Sequence, residues 1–145
     1  MKEKQDKAVT TAHFKEFSET QQAEYQKYAE EHWDSNLVRQ SYTRWHGLTD
    51  TERKALLKEG EKITLAIAAS MPSGVNSPET QSLIAEWHRY INRFYDCSIE
   101  IFRELGKMYL KDARFAEFYS GIAPQLPEFL AVAIYNYCEK HTQEN

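Results

Sequence analysis

The sequence predicts an all-α protein of about six or seven helices packed around the last one. Apolar residues recur at three- and four-residue spacing along most of the chain, which is the period of an amphipathic helix. Helix-capping residues stand directly before several of these stretches. The sequence shows no strand-like alternation, no hairpin dipeptide and no internal repeat. Its 145 residues fit one domain of ordinary size.

The N-terminal part divides into a tail and two helices. Residues 1–13 are polar and patternless, so we interpret them as a flexible tail or linker remnant, and residues 14–145 as the domain. Apolar residues at helical spacing predict a helix from Glu19 to His32. A shorter helix is predicted from Asn36 to Trp45, and Gly47 ends it.

A long helix follows with a clear start. Thr49 and Glu52 stand in the reciprocal positions of a capping box, and the helical pattern continues to about Ser70. Gly60 lies on the apolar stripe of this helix, where glycine is costly, so it indicates either a close helix crossing or a weak point. Residues 71–76 contain proline, glycine and asparagine and predict a loop.

The next two helices are separated by a polar break. Ser77 as the cap and Pro78 in the first turn predict a helix start, and the pattern continues to about Tyr95. A second stripe begins after Cys97, nearly in phase with the first, so one continuous helix is the alternative. We predict a break, because the three residues 96–98 are weak helix formers.

The C-terminal part is predicted as two helices. A short helix covers residues 114–120 and is interrupted at Gly121. The last helix begins near Pro127. Its residues 129–135 are apolar nearly all round, which predicts burial at the centre of the bundle. From His141 onward we expect a tail.

Composition excludes several classes of function. Charged residues make up 28% with a net charge of -4 and no basic stripe, so we expect no direct binding of nucleic acid by this chain. No signal peptide and no stretch of membrane-spanning length occurs, so no membrane partner is expected. Cys97 and Cys138 form neither a disulfide framework nor a zinc motif. These features favour a cytoplasmic protein.

Four blocks of sequence, in order, carry a resemblance to a known family. The first block is F-K-E-F at residues 14–17 with Y-A-E-E-H-W at 28–33 and S-Y-T-R at 41–44, and the second is W-H-R-Y-I at 87–91 with F-Y-D-C-S at 94–98. The third block is L-G-K-M-Y at 105–109 with D-A-R-F at 112–115. The fourth is A-P at 123–124 with F-L at 129–130 and A-I at 133–134. Together they cover roughly residues 14–138 and resemble the TipAS antibiotic-recognition domain of TipA-type activators in the MerR family.

The resemblance implies a fold and a ligand. It implies a globin-like helical bundle without haem or other cofactor, and binding of thiopeptide-type or other bulky hydrophobic antibiotics. In the family a cysteine in a Y-x-C-S context bonds to a dehydroalanine of the antibiotic, and Cys97 matches it. The family's N-terminal part folds over the ligand, which makes Trp33 and Tyr42 candidates for a lid. Asp34 departs from the glycine that is frequent there in the family, so we expect a different bend at this position.

Cys97 has two interpretations. A thiolate adds to electron-poor alkenes if its pKa is lowered and it is accessible. A helix beginning at Ser98 and a nearby Arg93 would lower the pKa, whereas Asp96 and Glu100 would raise it. The alternative is a small buried hydrophobic residue.

The candidate ligand-binding residues are mostly aromatic. Aromatic rings stack against flat heterocycles, although plain core packing is the simpler interpretation for most of them. For His88 the alternatives are a haem ligand and a hydrogen-bonded interior histidine, and we favour the second. The predicted ligand-binding set is Cys97, Tyr95, Phe94, His88, Trp87, Phe102, Trp33 and Tyr42, with no catalytic and no metal-binding residue.

The function expected from this resemblance is drug sensing for a MerR-type activator, or drug sequestration. The winged helix and coiled coil of such activators are absent from the sequence, so the expected partner is an upstream MerR-type DNA-binding domain or a second copy in a homodimer, and a stand-alone form is the alternative. No nucleophile elbow, phosphate loop, zinc signature or carboxylate dyad occurs, so we expect no enzyme. The competing hypothesis is a helical protein-interaction module without a small-molecule ligand.

Overall fold

The computed structural model describes residues 35–144, and this part of the chain is all-helical, as predicted. The predicted tail, the helix over residues 19–32 and Trp33 lie outside the described residues. The elements are α1 (Ser35–His46), α2 (Asp50–Ala69), a 3₁₀ helix (Met71–Ser73), α3 (Pro78–Ile91), α4 (Ile99–Lys111), α5 (Ala113–Ile122) and α6 (Leu126–Glu144). Within residues 35–144, no helix combines the length and the apolar character that crossing a bilayer demands.

The start of α2 is fixed by its own first residues. The Glu52 backbone N–H donates to the Thr49 hydroxyl at 3.1 Å, and the Glu52 carboxylate accepts from the Thr49 backbone N–H at 2.9 Å. This is the predicted capping box, which satisfies two backbone donors that a helix start leaves open. Just before it, Gly47 N–H donates to the Thr43 carbonyl at 3.0 Å and ends α1.

The break between α3 and α4 is confirmed, but α3 is shorter than predicted. It ends at Ile91 rather than near Tyr95. The cause is the next residue, Asn92, whose side-chain amide donates to the His88 carbonyl at 2.9 Å. The side chain thus competes with backbone N–H groups for a carbonyl in the last turn of the helix. Residues 92–97 therefore form a link between the two helices, which we call the 92–97 link.

The C-terminal elements are longer than the sequence suggested. α5 continues through Gly121 to Ile122, and α6 continues through the expected tail to Glu144. The apolar stretch of α6 is not buried all round, because Val132 and Tyr135 are 47% and 51% exposed. The prediction of a central position nevertheless holds for α6, which contacts α3, α4 and α5 and lies most extensively against α4.

Two glycines set close helix crossings. A Cβ atom at Gly106 of α4 would lie 2.9 Å from Ile134 Cγ2 of α6. A Cβ atom at Gly60 of α2 would lie 2.4 Å from the Tyr90 hydroxyl oxygen and 2.6 Å from Tyr90 Cζ of α3. Of the two alternatives for Gly60, the structure supports the close crossing.

Gly60→Ala should lower the free energy of unfolding by about 1–3 kcal/mol, because the added methyl group displaces the Tyr90 ring. Urea denaturation followed by circular dichroism measures it. Lys58→Ala, at an exposed position of the same helix, is the control and should be nearly neutral. In a Tyr90→Leu background, Gly60→Ala should lower the free energy of unfolding by less, because the ring that meets the added methyl group is absent. An equal cost in both backgrounds would show that the crossing does not limit this position.

Candidate ligand-binding site

Two shallow grooves run along α2. The first, which we call the α2–α3 groove, encloses about 490 Å³ and has an apolar floor that includes Ile63, Leu83 and Tyr90. Its rim is charged and includes Lys62, Glu86 and Arg89. A concave surface with an apolar floor and a few polar groups is typical of small-molecule sites.

The second groove, the α1–α2 groove, encloses about 470 Å³. Leu48 and Leu56 supply its apolar part, and Arg44 and Glu52 are among its polar lining residues. Leu56, like Ile63 of the first groove, belongs to the buried core. The floor of both grooves is therefore the outer edge of the hydrophobic core.

The two grooves meet at an ion pair. Glu59 of α2 and Arg93 of the 92–97 link line both grooves, and the Arg93 guanidinium donates to the Glu59 carboxylate. Their side chains are 45% and 55% exposed, respectively. The sequence did not indicate these two residues as a pair, because they are 34 positions apart and each lies on an otherwise ordinary charged helix face.

The predicted aromatic residues divide between core and surface. Trp87, Tyr95 and Phe102 are buried and contribute to the hydrophobic core, so they line neither groove. Their contact with a ligand stays a prediction. The neighbouring Tyr90, which the sequence placed on the same stripe, lines the α2–α3 groove and stacks on Trp87 with ring centroids 5.1 Å apart.

Phe94 and Tyr42 are better placed for contact with a ligand. Phe94 is half-buried and lies between two rings, with centroids 6.2 Å from Trp45 and 5.2 Å from Tyr90. Tyr42 is 54% exposed and its ring lies 4.1 Å from the ring of His46. Neither is among the residues that line the two grooves.

His88 is a hydrogen-bonded interior histidine, as we favoured over a haem ligand. Its Nε2 lies 2.7 Å from the Cys97 carbonyl oxygen and its Nδ1 lies 3.1 Å from the Tyr137 hydroxyl. Because a carbonyl only accepts, Nε2 carries the proton and Nδ1 accepts from Tyr137. The ring also stacks on Phe102 at 4.5 Å. Burial lowers the pKa of His88, which favours this neutral form.

For Cys97 the described conformation agrees with the alternative interpretation, a small buried hydrophobic residue. The side chain is buried, with 4% exposed, and burial raises the pKa of the Cys97 thiol to about 12, with a smaller effect from Cys138. A helix does begin at Ser98, but the thiol points to the Ser98 carbonyl oxygen at 3.7 Å. In this conformation the thiol is a buried apolar group, and its contact with a ligand stays a prediction.

The backbone around Cys97 is held from both sides. Within the link, the Asn92 side chain accepts from the Cys97 N–H at 2.9 Å, and from α3 the His88 ring donates to the Cys97 carbonyl. From α1, Arg44 donates to the Asn92 carbonyl at 2.9 Å and to the Asp96 carboxylate at 2.7 Å. Arg44 also lines the α1–α2 groove, so the same side chain contributes to the groove surface and holds the link that contains Cys97.

An all-helical domain with apolar-floored grooves of this size has an architecture that is compatible with small-molecule binding. The family model for the TipAS antibiotic-recognition domain matches residues 25–137, and the chain belongs to this family. The family resemblance predicted from the sequence is thereby confirmed.

Two similar proteins are transcriptional activators. The chain is 34% identical over 93 residues to the HTH-type transcriptional activator mta of Bacillus subtilis (strain 168), covering 63% of this chain and 35% of that protein. It is 26% identical over 133 residues to the HTH-type transcriptional activator TipA of Streptomyces coelicolor, covering 89% of this chain and 53% of that protein. The chain thus spans about a third to a half of the length of these relatives.

A solved structure has the same fold. It is TipAS from Streptomyces lividans in complex with nosiheptide, described as part of a thiopeptide antibiotic multidrug resistance system. The superposition gives a TM-score of 0.73 at 22% identity and covers 84% of this chain and 87% of that one. The predicted globin-like helical fold is confirmed.

Arg44→Ala should expose Cys97, because it removes the two hydrogen bonds that Arg44 of α1 makes to the 92–97 link. In a Cys138→Ala background, the rate of reaction with Ellman's reagent should rise roughly tenfold or more. Arg53→Ala is the matched control, since Arg53 also holds α1 through the carbonyls of Trp45 and His46. Equal rates in the two variants would exclude a specific role for Arg44.

His88 should make stability depend on pH. Its folded pKa is lowered, so the unfolded chain binds more protons and stability falls as the pH drops below the unfolded value of about 6.5. Urea midpoints measured between about pH 5 and pH 8 should show this fall. His88→Gln should be less stable near pH 8 and lose part of the pH dependence, whereas His46→Gln, at an exposed position, should keep it. An unchanged slope in His88→Gln would contradict the assignment.

Proposed function

We propose that this chain is the receptor part of a drug sensor that binds thiopeptide-type or other bulky hydrophobic antibiotics along α2. The observation that carries the proposal is the pair of apolar-floored, charge-rimmed grooves on a domain of the TipAS family. Each groove has a volume in the usual range of small-molecule sites. The complex of TipAS with nosiheptide supports a thiopeptide as the class of ligand to test first.

Two kinds of aromatic residue would serve this site. We assign direct ring contacts to Phe94 and Tyr42, because their rings are partly or largely exposed beside the grooves. We assign Trp33, which precedes α1, to the same wall as a proposal from the family resemblance. The buried rings, Trp87 above all, would act through Tyr90 by holding the groove floor in place.

Cys97 would take part only after a rearrangement. Its burial and its raised pKa oppose attack on a dehydroalanine in the described conformation. A ligand that draws Arg44 away from Asp96 would loosen the 92–97 link and expose the thiol. Covalent capture would then follow noncovalent binding rather than initiate it.

The biological role that we propose is signalling of the bound drug to an activator, with sequestration as the alternative. The relatives named above are HTH-type transcriptional activators longer than this chain, so an upstream MerR-type DNA-binding domain is the proposed partner. We propose a binding protein rather than an enzyme, because those relatives are named as regulators. A sensor of this kind would work in the cytoplasm, where the regulated promoter lies.

Leu83→Asp tests the site, since it places a carboxylate on the apolar floor of the α2–α3 groove. Affinity for thiostrepton, measured by quenching of tryptophan fluorescence, should fall roughly tenfold or more. Val132→Asp, on the exposed side of α6, is the matched control and should bind like the wild type. Wild-type protein whose fluorescence is indifferent to thiopeptides would contradict the proposal and favour an interaction module.

A further inference from the structure

We propose that Glu59 and Arg93 determine ligand size and polarity, because their ion pair divides one continuous groove into two. This inference rests on the proposed function and concerns the same site. The two residues are the members that both groove linings have in common. Ligands that fit one groove leave the ion pair in place, and larger ligands have to replace it.

The floor beneath the ion pair is continuous. Ala55, Glu59 and Ala66 line the grooves along one helix, α2, and at 1.5 Å per residue the stretch from Ala55 to Ala66 is roughly 16 Å long. Next to Glu59 on α2, Gly60 contributes no side chain, and the Tyr90 ring lies directly against it. The obstacle between the grooves is therefore the pair of charged side chains above this floor.

The ion pair is easily exchanged. Both side chains are about half exposed, and ion pairs at such positions contribute little to stability. Within residues 35–144, neither side chain has a second ion-pair partner. A ligand that offers equivalent hydrogen bonds can take the place of the pair without disturbing the fold.

The hydrogen-bonding chemistry of the Glu59 and Arg93 side chains defines which ligand group can replace their ion pair. The Glu59 carboxylate only accepts hydrogen bonds and the Arg93 guanidinium only donates them. A neutral amide offers one N–H and one carbonyl, so it satisfies both groups at once, whereas an ion satisfies one and repels the other. The selected ligand is thus neutral, too large for one groove, apolar at both ends and amide-bearing in the middle.

The test compares a large and a small probe on matched variants. Thiostrepton is the large amide-bearing probe, and N-phenyl-1-naphthylamine, which is neutral and lacks an amide, is the small one.

Glu59→Gln frees Arg93 but keeps a carbonyl acceptor, so it should tighten thiostrepton binding roughly threefold and leave the affinity for the small probe unchanged. Arg93→Met removes the donor and should weaken thiostrepton binding relative to Glu59→Gln. Glu104→Gln makes the same charge change in an exposed ion pair of α4 that lines neither groove, and it should alter neither affinity.

The dependence of thiostrepton affinity on salt concentration provides an independent test of the ion pair. Raising sodium chloride from roughly 0.05 M to roughly 0.5 M screens the ion pair, so it should tighten thiostrepton binding more in the wild type than in Glu59→Gln. The small probe reports any general effect of salt on apolar binding. Thiostrepton affinities that match between Glu59→Gln and Glu104→Gln, together with the same salt dependence in the wild type and in Glu59→Gln, would overturn this inference alone. Failure of wild type and all variants to bind thiostrepton would overturn the proposed function together with it.

Discussion

The contact between Gly60 and Tyr90 is the constraint on which the site depends. Without a side chain on α2 at this point, the Tyr90 ring of α3 lies directly against the helix backbone. The ring then closes the core on one side and forms groove floor on the other, since Tyr90 is 6% exposed and lines the α2–α3 groove. Behind it, Trp87 stacks on the ring and donates to the Tyr109 hydroxyl at 3.1 Å, which ties the floor to α4.

The 92–97 link connects the grooves to the interior. Its Arg93 is exposed and lines both grooves, while the backbone of Cys97, four residues later, is fixed by His88 of α3 and by Asn92 of the link itself. α1 holds the link from the other side, through Arg44 and through Gln40, whose carbonyl accepts from the Asp96 N–H at 2.8 Å. A segment of six residues therefore joins the groove surface to the interior.

Sequence patterns predicted the features whose causes lie within a few residues. The capping box of Thr49 and Glu52 and the cap at Ser98 needed only neighbouring residues, so they were predictable. The early end of α3 depends on Asn92, which bonds to Cys97 across a turn, and helical periodicity contains no information about that bond. The groove junction depends on a pair 34 positions apart, which only the packing of α2 against the 92–97 link creates. The aromatic density of residues 87–109 reflected core packing more than ligand contact, since the core gathers the same residue types.

Burial of the Cys97 thiol also has a consequence for chemical selectivity in the cell. Because burial raises the pKa of the Cys97 thiol, the thiol stays protonated near pH 7, and 4% exposure leaves it shielded from dissolved electrophiles and oxidants. Small reactive metabolites that collide with the protein would thus leave it unmodified and the thiol would persist in its reduced form. Any reaction at this sulfur would be limited by the opening of the 92–97 link, so the identity of the molecule that opens the link, rather than its intrinsic reactivity, would decide what becomes attached.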